Sequence, residues 1–104
     1  MFDVYKLPVF DKRAKNLLSS QEFAEVDGVI EQLKENPLIG RPLSYSFLRE
    51  KRIGNNRIYF LVYERVAIVL LVSLSDKKSQ QETIDEIKND LDEYREYAKR
   101  LSNT

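Results

Sequence analysis

The middle of the chain concentrates basic residues in the stretch REKRIGNNRIYFLVYERVAIVLLVSLSDKKSQQE. Tyrosines are interleaved with the arginines in its first half. Arginine side chains match the geometry of phosphate groups, and tyrosine rings stack on nucleic-acid bases. This combination suits single-stranded RNA better than the readout of a duplex. The basic residues of the stretch are Arg49, Lys51, Arg52, Arg57, Arg65, Lys77 and Lys78.

The positive charge of this stretch is local, because the whole chain of 104 residues carries 17 basic and 17 acidic side chains. Residues 41–65 contain six basic and two acidic side chains, whereas residues 80–104 contain four basic and seven acidic ones. We therefore predict a polarised molecule with a basic sheet region and an acidic C-terminal tail.

Cysteine and histidine are both absent from the chain. Their absence excludes a disulfide framework, a thiolate nucleophile and a zinc ribbon, and it removes the usual general base near neutral pH. Acid–base chemistry would have to use carboxylates, lysine or tyrosine. Lysine and tyrosine titrate near 10, so Lys77, Lys78 or Tyr59 could accept a proton only if their surroundings lowered the pKa by about a few units. We predict no metal site and no cofactor.

The N-terminal segment MFDVYKLPVFDKRAK lacks the order of charged and apolar residues that a secretory signal has. The longest apolar run, residues 66–72, is too short to span a bilayer. These features predict a soluble cytoplasmic protein without a membrane segment. The length of the chain predicts a single domain over residues 1–104.

The predicted elements indicate an α+β fold. Residues 4–10 are predicted as an edge strand or as a strand that ends early, because Pro8 cannot donate to a sheet ladder. Residues 11–18 are predicted as a brief helix capped by Asp11. A second helix begins at a capping box formed by Ser19 and Glu22 and stops at residues 36–37, and residues 38–46 are predicted as a loop.

The second half of the chain predicts three strands and a helix. Residues 48–53, 57–63 and 66–74 are separated by turns so short that the strands must form an antiparallel meander. Together with the N-terminal strand they make one small antiparallel sheet. A second capping box at Ser79 and Glu82 opens a long amphipathic helix over residues 79–101. The pattern leaves open whether its apolar stripe packs on its own sheet, on a second copy in a homodimer, or on another chain.

The register of the first hairpin assigns side chains to the two faces of the sheet. If Asn55-Asn56 form the turn, Arg52 lies opposite Tyr59. Because side chains alternate along a strand, one face is predicted to join the core and the other to be exposed. The same residues could also stabilise a half-exposed sheet by ordinary cross-strand contacts. The predicted exposed face carries Glu50, Arg52, Arg57, Tyr59 and Tyr63.

The order of elements, together with LREKRIGNNRIYFLVYE followed by SDKKSQQE, resembles the RelE/ParE toxin superfamily over nearly the whole chain. The segment RIGNNRIYF is similar to a strand-turn-strand with an arginine after the turn, and KKSQQE is similar to the lysine-pair segment of the HigB-like branch. The resemblance implies a toxin that is paired with an antitoxin. In the RelE and HigB branches it also implies cleavage of messenger RNA on the ribosome, without a metal or cofactor.

The resemblance assigns roles to particular residues. Arg57 matches the arginine after the turn, which would hold the scissile phosphate, and Arg52 matches a basic position on the preceding strand. Glu50 departs from the pattern, because it would repel phosphate unless an arginine pairs with it. The implied catalytic residues are Arg57, Arg52, Tyr59, Lys77 and Lys78, and the implied RNA-binding residues are Arg49, Lys51 and Tyr63.

Two other functions fit the same resemblance. ParE-like relatives keep the fold and act on DNA gyrase, so a gyrase inhibitor is one alternative. A catalytically inactive binding module with the RelE fold, which binds an antitoxin-like helix or a second copy of itself, is the other.

Overall fold

A computed structural model describes residues 1–103 of the chain as one five-stranded sheet with four helices. The strands are β1 (Asp3–Lys6), β2 (Arg41–Leu43), β3 (Tyr45–Ile53), β4 (Asn56–Tyr63) and β5 (Ile68–Asp76). The helices are α1 (Pro8–Leu17), α2 (Ser20–Glu35), α3 (Gln80–Asn89) and α4 (Leu91–Ser102). In space the strands follow the order β1-β5-β4-β3-β2. The predicted α+β class is confirmed.

Helices cover both faces of the sheet. On the first face, Val26, Val29 and Leu33 of α2 lie in one apolar cluster with alternate residues of β4 such as Ile58 and Phe60. On the second face, residues of α3 and α4 pack against the other residues of β4. Strand β5 therefore lies between two layers, and its side chains are buried from Ile68 to Ser75, as its continuous apolar run predicts.

The apolar stripe of the C-terminal segment packs on its own sheet, which answers the question that the sequence left open. Ile84, Ile87 and Ala98 are buried there, and Tyr94 and Leu101 pack against the same cluster. The stripe belongs to two helices rather than the one predicted over residues 79–101. The N–H of Asp90 donates to the carbonyl of Ile87 only three residues back, where asparagine and aspartate favour a helix weakly.

Strand β1 is an edge strand and ends early, at Lys6, as predicted. The expectation of an antiparallel pairing is wrong: β1 pairs parallel to β5, with Asp3 opposite Ile68, because the two N-terminal helices and the meander bring the chain back in the same direction. Pro8 takes the first helical position of α1, where the missing N–H is not needed. Asp11 accordingly lies in the first turn of α1 and does not cap it.

One of the two predicted capping boxes forms. The Ser19 hydroxyl accepts from the N–H of Glu22, and the Glu22 carboxylate accepts from the N–H of Ser19, so α2 begins as predicted. The second predicted capping box, at Ser79 and Glu82, does not form. The side chain of Asp76 accepts the N–H of Ser79 at 2.9 Å, and the Ser79 hydroxyl makes no capping bond.

The loop predicted over residues 38–46 contains a short strand. Arg41 of β2 pairs with Glu50 of β3, and Gly40 precedes it with a positive φ of 76°. A β-carbon at Gly40 would collide with the backbone carbonyl oxygen of Glu50, so only glycine allows the two segments to approach this closely. Pro42 hid the strand from the sequence pattern, although proline is tolerated at a sheet edge.

Candidate functional site

The turn between β3 and β4 is formed by Gly54 and Asn55, one residue earlier than predicted. Gly54 has a positive φ of 56°, and Asn56 belongs to the strand, where its amide donates to the Glu22 carboxylate at 3.2 Å. Arg52 therefore lies opposite Arg57, and not opposite Tyr59 as the predicted register had it. The displacement amounts to two residues across the pair, so the predicted assignment of side chains to faces survives.

Two arginines directly opposite each other repel, and Glu50 supplies the opposing charge. Its carboxylate lies 2.9 Å from Arg41 Nη2 and 3.9 Å from Arg57 Nε, and it accepts a hydrogen bond from Gln80 Nε2 at 3.0 Å. Glu50 is only 8% exposed. A buried carboxylate needs such partners, because an unpaired charge away from water costs several kcal/mol. The predicted condition on Glu50, pairing with an arginine, is met.

These groups surround an open cleft of about 470 Å³, which we call the arginine cleft. Strand β2, the β3–β4 hairpin and the first residue of α3 form its walls. Arg52 is exposed, whereas the Arg57 side chain is 13% exposed and held near Glu50. The arginine cleft is lined by Gly40, Arg41, Glu50, Lys51, Arg52, Arg57 and Gln80.

Tyr59 is fully buried, so the prediction that it lies on an exposed face is wrong. Helices α3 and α4 cover this part of the sheet, and the Tyr59 hydroxyl shares a 2.8 Å hydrogen bond with Ser75 Oγ. Burial raises the pKa of Tyr59, although the hydrogen bond with Ser75 and the charge of Arg57 act in the opposite sense. Tyr59 therefore lacks the lowered pKa that proton acceptance would require.

Tyr63 also departs from the predicted exposed face. It lies half-buried at the far end of β4, and burial raises its pKa to about 12. Arg49 lies on the opposite face of β3, opposite Phe60. Its guanidinium donates to the carbonyls of Leu38, Ile39, Gly40 and Ser46, which fixes the segment before β2. Of the three predicted RNA-binding residues, Lys51 alone lines the arginine cleft.

Lys77 and Lys78 are exposed between β5 and α3. They line a second cleft of about 640 Å³, which we call the lysine cleft. Arg41 and Gln80 line both clefts, so the two adjoin. The structure thus brings Arg52 and Arg57 together, and it places the lysine pair in the neighbouring space.

Sequence reasoning missed Arg41 and Gln80. Arg41 was assigned to a loop, and no pattern placed the side chain of Gln80 within reach of Glu50. The signal that existed was Glu50 itself, since an acidic residue on a basic strand requires cationic partners.

Among residues 1–103, no group of three or more acidic side chains is placed to hold a metal ion. No described helix combines the length and the apolar character that crossing a bilayer requires.

The sequence matches no protein-family model and no curated protein. The structure resembles the isolated Escherichia coli RelE toxin with a TM-score of 0.64 and 13% identity, over 84% of this chain and 99% of that one. It also resembles a mutant E. coli RelE in complex with an antitoxin RelBc peptide, with a TM-score of 0.62 and 13% identity, over 79% of this chain and 93% of that one. The RelE-like fold predicted from the sequence is confirmed.

Proposed function

We propose, from its RelE-like fold and its arginine cleft, that this protein is the toxin of a toxin–antitoxin pair and that it cleaves messenger RNA on the ribosome. The observation that supports the proposal most directly is the pairing of Arg52 with Arg57 at the rim of an open cleft that contains one buried carboxylate, Glu50. Paired guanidiniums bind phosphate oxygens, and a carboxylate in the same cleft can accept a proton.

In the proposed reaction, the 2′-hydroxyl of one nucleotide attacks its adjacent phosphate. A bond forms between the 2′-oxygen and phosphorus, and the bond from phosphorus to the 5′-oxygen of the next nucleotide breaks. The departing 5′-oxygen takes up a proton from the medium. Arg57 and Arg52 stabilise the negative charge that develops on the phosphoryl oxygens, which is commonly the largest contribution to such a reaction.

Glu50 is the proposed acceptor of the 2′-hydroxyl proton. Among the described residues that line the arginine cleft, it is the only acidic one. Arg41 and Gln80 hold its two carboxylate oxygens in place at 2.9 and 3.0 Å. Bound RNA would draw Arg57 toward phosphate and away from its 3.9 Å contact with Glu50, which would free that oxygen for the proton.

The proposed partners are an antitoxin, the ribosome and messenger RNA. The E. coli RelE that this chain resembles is bound to an antitoxin RelBc peptide. By analogy, an acidic antitoxin segment would cover the basic cleft and keep the toxin silent. Assembly of two copies through the C-terminal helices remains a separate prediction.

Codon-resolved cleavage of messenger RNA in a translating extract tests the function. We expect Arg57→Ala to lower cleavage by at least about 100-fold, the typical cost of removing one donor to a developing oxyanion. Glu50→Gln, which keeps the size of the side chain, should lower it by about 100-fold or more. Arg95→Ala removes an exposed arginine of α4, remote from the cleft, and should cleave like the wild type.

The two alternative functions are distinguished when a supercoiling assay and growth on expression accompany the cleavage assay. Cleavage that is equal in the wild type and Arg57→Ala would refute the site. Intact messenger RNA together with inhibited supercoiling would indicate a gyrase inhibitor, and intact messenger RNA with normal growth on expression would indicate an inactive binding module.

A further inference from the structure

Lys88 of α3 lines the lysine cleft and has no role in the proposed reaction. Lys88 Nζ donates to Ser44 Oγ at 2.6 Å and thereby joins α3 to the turn between β2 and β3. Ser44 has a positive φ of 65°, which is uncommon for a residue other than glycine. Such backbone conformations are strained and cluster at functional sites. The lysine cleft is lined by Arg41, Pro42, Leu43, Ser44, Lys77, Lys78, Gln80, Gln81, Ile84 and Lys88.

The charge of the lysine cleft is of one sign. None of the described residues that line it is acidic. Within residues 1–103, no carboxylate forms an ion pair with Lys77, Lys78 or Lys88. Three lining residues contact carboxylates outside the lysine cleft: Arg41 and Gln80 contact Glu50 at 2.9 and 3.0 Å, and the Gln81 amide donates to Asp85 at 3.0 Å. The arginine cleft differs, because Glu50 offsets part of its charge.

Lys77 and Lys78 lie at positions that are electrostatically unfavourable unless an anion is bound. Lys77 and Lys78 immediately precede α3, and positive charges near a helix N-terminus oppose the helix dipole. Lysines close to one another repel as well. A bound phosphate group would remove both penalties, because it is attracted by the lysines and by the helix N-terminus alike.

We propose that the lysine cleft is a second phosphate subsite, which holds the RNA backbone beside the phosphate that reacts in the arginine cleft. The two clefts share Arg41 and Gln80, so a strand that leaves one enters the other. Lys88 defines the subsite, Lys77 and Lys78 flank it, and Arg41, which is paired with Glu50, lies where it adjoins the arginine cleft. The subsite rests on the proposed function, since it assigns RNA as the occupant of both clefts.

Binding of fluorescent 2′-O-methyl oligonucleotides tests the subsite, because these probes cannot undergo attack by a 2′-hydroxyl. A dinucleotide with one phosphate reaches the arginine cleft alone, whereas a pentanucleotide extends into the lysine cleft. We expect Lys88→Ala to weaken pentanucleotide binding about tenfold and to leave dinucleotide binding unchanged. The slope of log affinity against log salt concentration should fall by about 0.7, the value for one phosphate contact with a single strand.

Matched variants separate charge from structure. Lys88→Arg keeps the charge and should bind the pentanucleotide within about twofold of the wild type, as should Ser44→Ala, which removes only the hydroxyl. Lys12→Ala, on the exposed side of α1 beyond the opposite face of the sheet, controls for loss of a positive charge elsewhere. Thermal unfolding of each variant shows whether a loss of binding reflects a loss of folding.

The subsite is overturned if the wild type binds both probes equally, if it binds neither at low salt, or if Lys88→Ala binds the pentanucleotide like the wild type. Arg57→Ala tests the proposed function separately, because it should weaken binding of both probes. An effect of Arg57→Ala without an effect of Lys88→Ala removes the subsite alone. The reverse result removes the arginine cleft as the reaction centre and keeps an RNA contact at Lys88.

Discussion

Helices α3 and α4 cover one face of the sheet incompletely, and a cleft remains at each end of that face. The two clefts differ in chemical character. At one end lies the arginine cleft, with Arg52, Arg57 and the buried Glu50. At the other end a cleft of about 570 Å³ lies between α4 and the strands, and most of its exposed lining is apolar. We call it the apolar cleft, and its lining includes Tyr45, Phe47, Tyr63, Val66, Leu91 and Ala98.

The side chains that β4 contributes to this face change from charged to apolar along the strand. Arg57, Tyr59 and Leu61 alternate onto the same side and pass from charged to apolar along the strand. Tyr59 and Leu61 are covered by α3 and α4, whereas Arg57 lies beyond the start of α3. The proposed phosphate contacts are therefore confined to the uncovered end, and the covered end contributes stability.

Leu61→Ala tests the stabilising role of the covered end. Leu61 is fully buried, and we expect a loss of about 3 kcal/mol in the free energy of unfolding, because the truncation leaves a cavity. Denaturant unfolding measures the loss. Leu38→Ala, at a position that is 47% exposed, is the matched control and should change the stability by less than about 0.5 kcal/mol. Equal effects of the two variants would contradict the assignment of Leu61 to a packed core.

Gly40→Ala tests the close approach of β2 to β3 at the uncovered end. The added β-carbon meets the Glu50 carbonyl oxygen in a left-handed backbone conformation, so we expect a loss of about 2 kcal/mol and reduced cleavage. Gly28→Ala is the control, because nothing lies within 4 Å of the new methyl group on α2. That substitution should stabilise the protein by about 0.5–1 kcal/mol. A neutral Gly40→Ala would show that the β2 segment is free to move.

Tyr59→Phe tests the boundary between the two ends. The substitution removes the hydrogen bond to Ser75 and should lower the free energy of unfolding by about 1 kcal/mol. Cleavage should remain within about twofold of the wild type, because proton acceptance is assigned to Glu50. A loss of cleavage of about 100-fold, with folding intact, would instead return Tyr59 to the reaction.

The register of the β3–β4 hairpin shows why the faces could be predicted although the turn could not. Hydrophobic alternation assigns Ile58 and Phe60 to one side whatever the turn, and a displacement of two residues preserves it. In the structure Asn56 lies in the strand rather than in the turn, and its side-chain amide donates to Glu22 of α2, from a distant part of the chain. Local sequence carries no information about that contact.

Arg49 and Arg57 show the same limit for function. Both belong to one basic stretch, and the sequence predicted that both contact RNA, Arg57 as a catalytic residue and Arg49 as a binding residue. In the structure the Arg49 guanidinium donates hydrogen bonds to four backbone carbonyls, whereas Arg57 faces the arginine cleft beside Glu50. Contacts that form only in the folded chain, the backbone carbonyls around Arg49 and the Glu50 carboxylate beside Arg57, therefore decide which guanidinium faces the cleft.

Periodicity and turn chemistry were sufficient for the α+β class, the antiparallel meander, the start of α2 and the two-sided burial of β5, because each depends on residues close together in the chain. The parallel pairing of β1, the division of the last helix, the burial of Tyr59 and the composition of the arginine cleft required the tertiary structure. Each of these depends on how distant segments compete for the same sheet surface, and that competition is settled by packing and charge pairing across the whole fold.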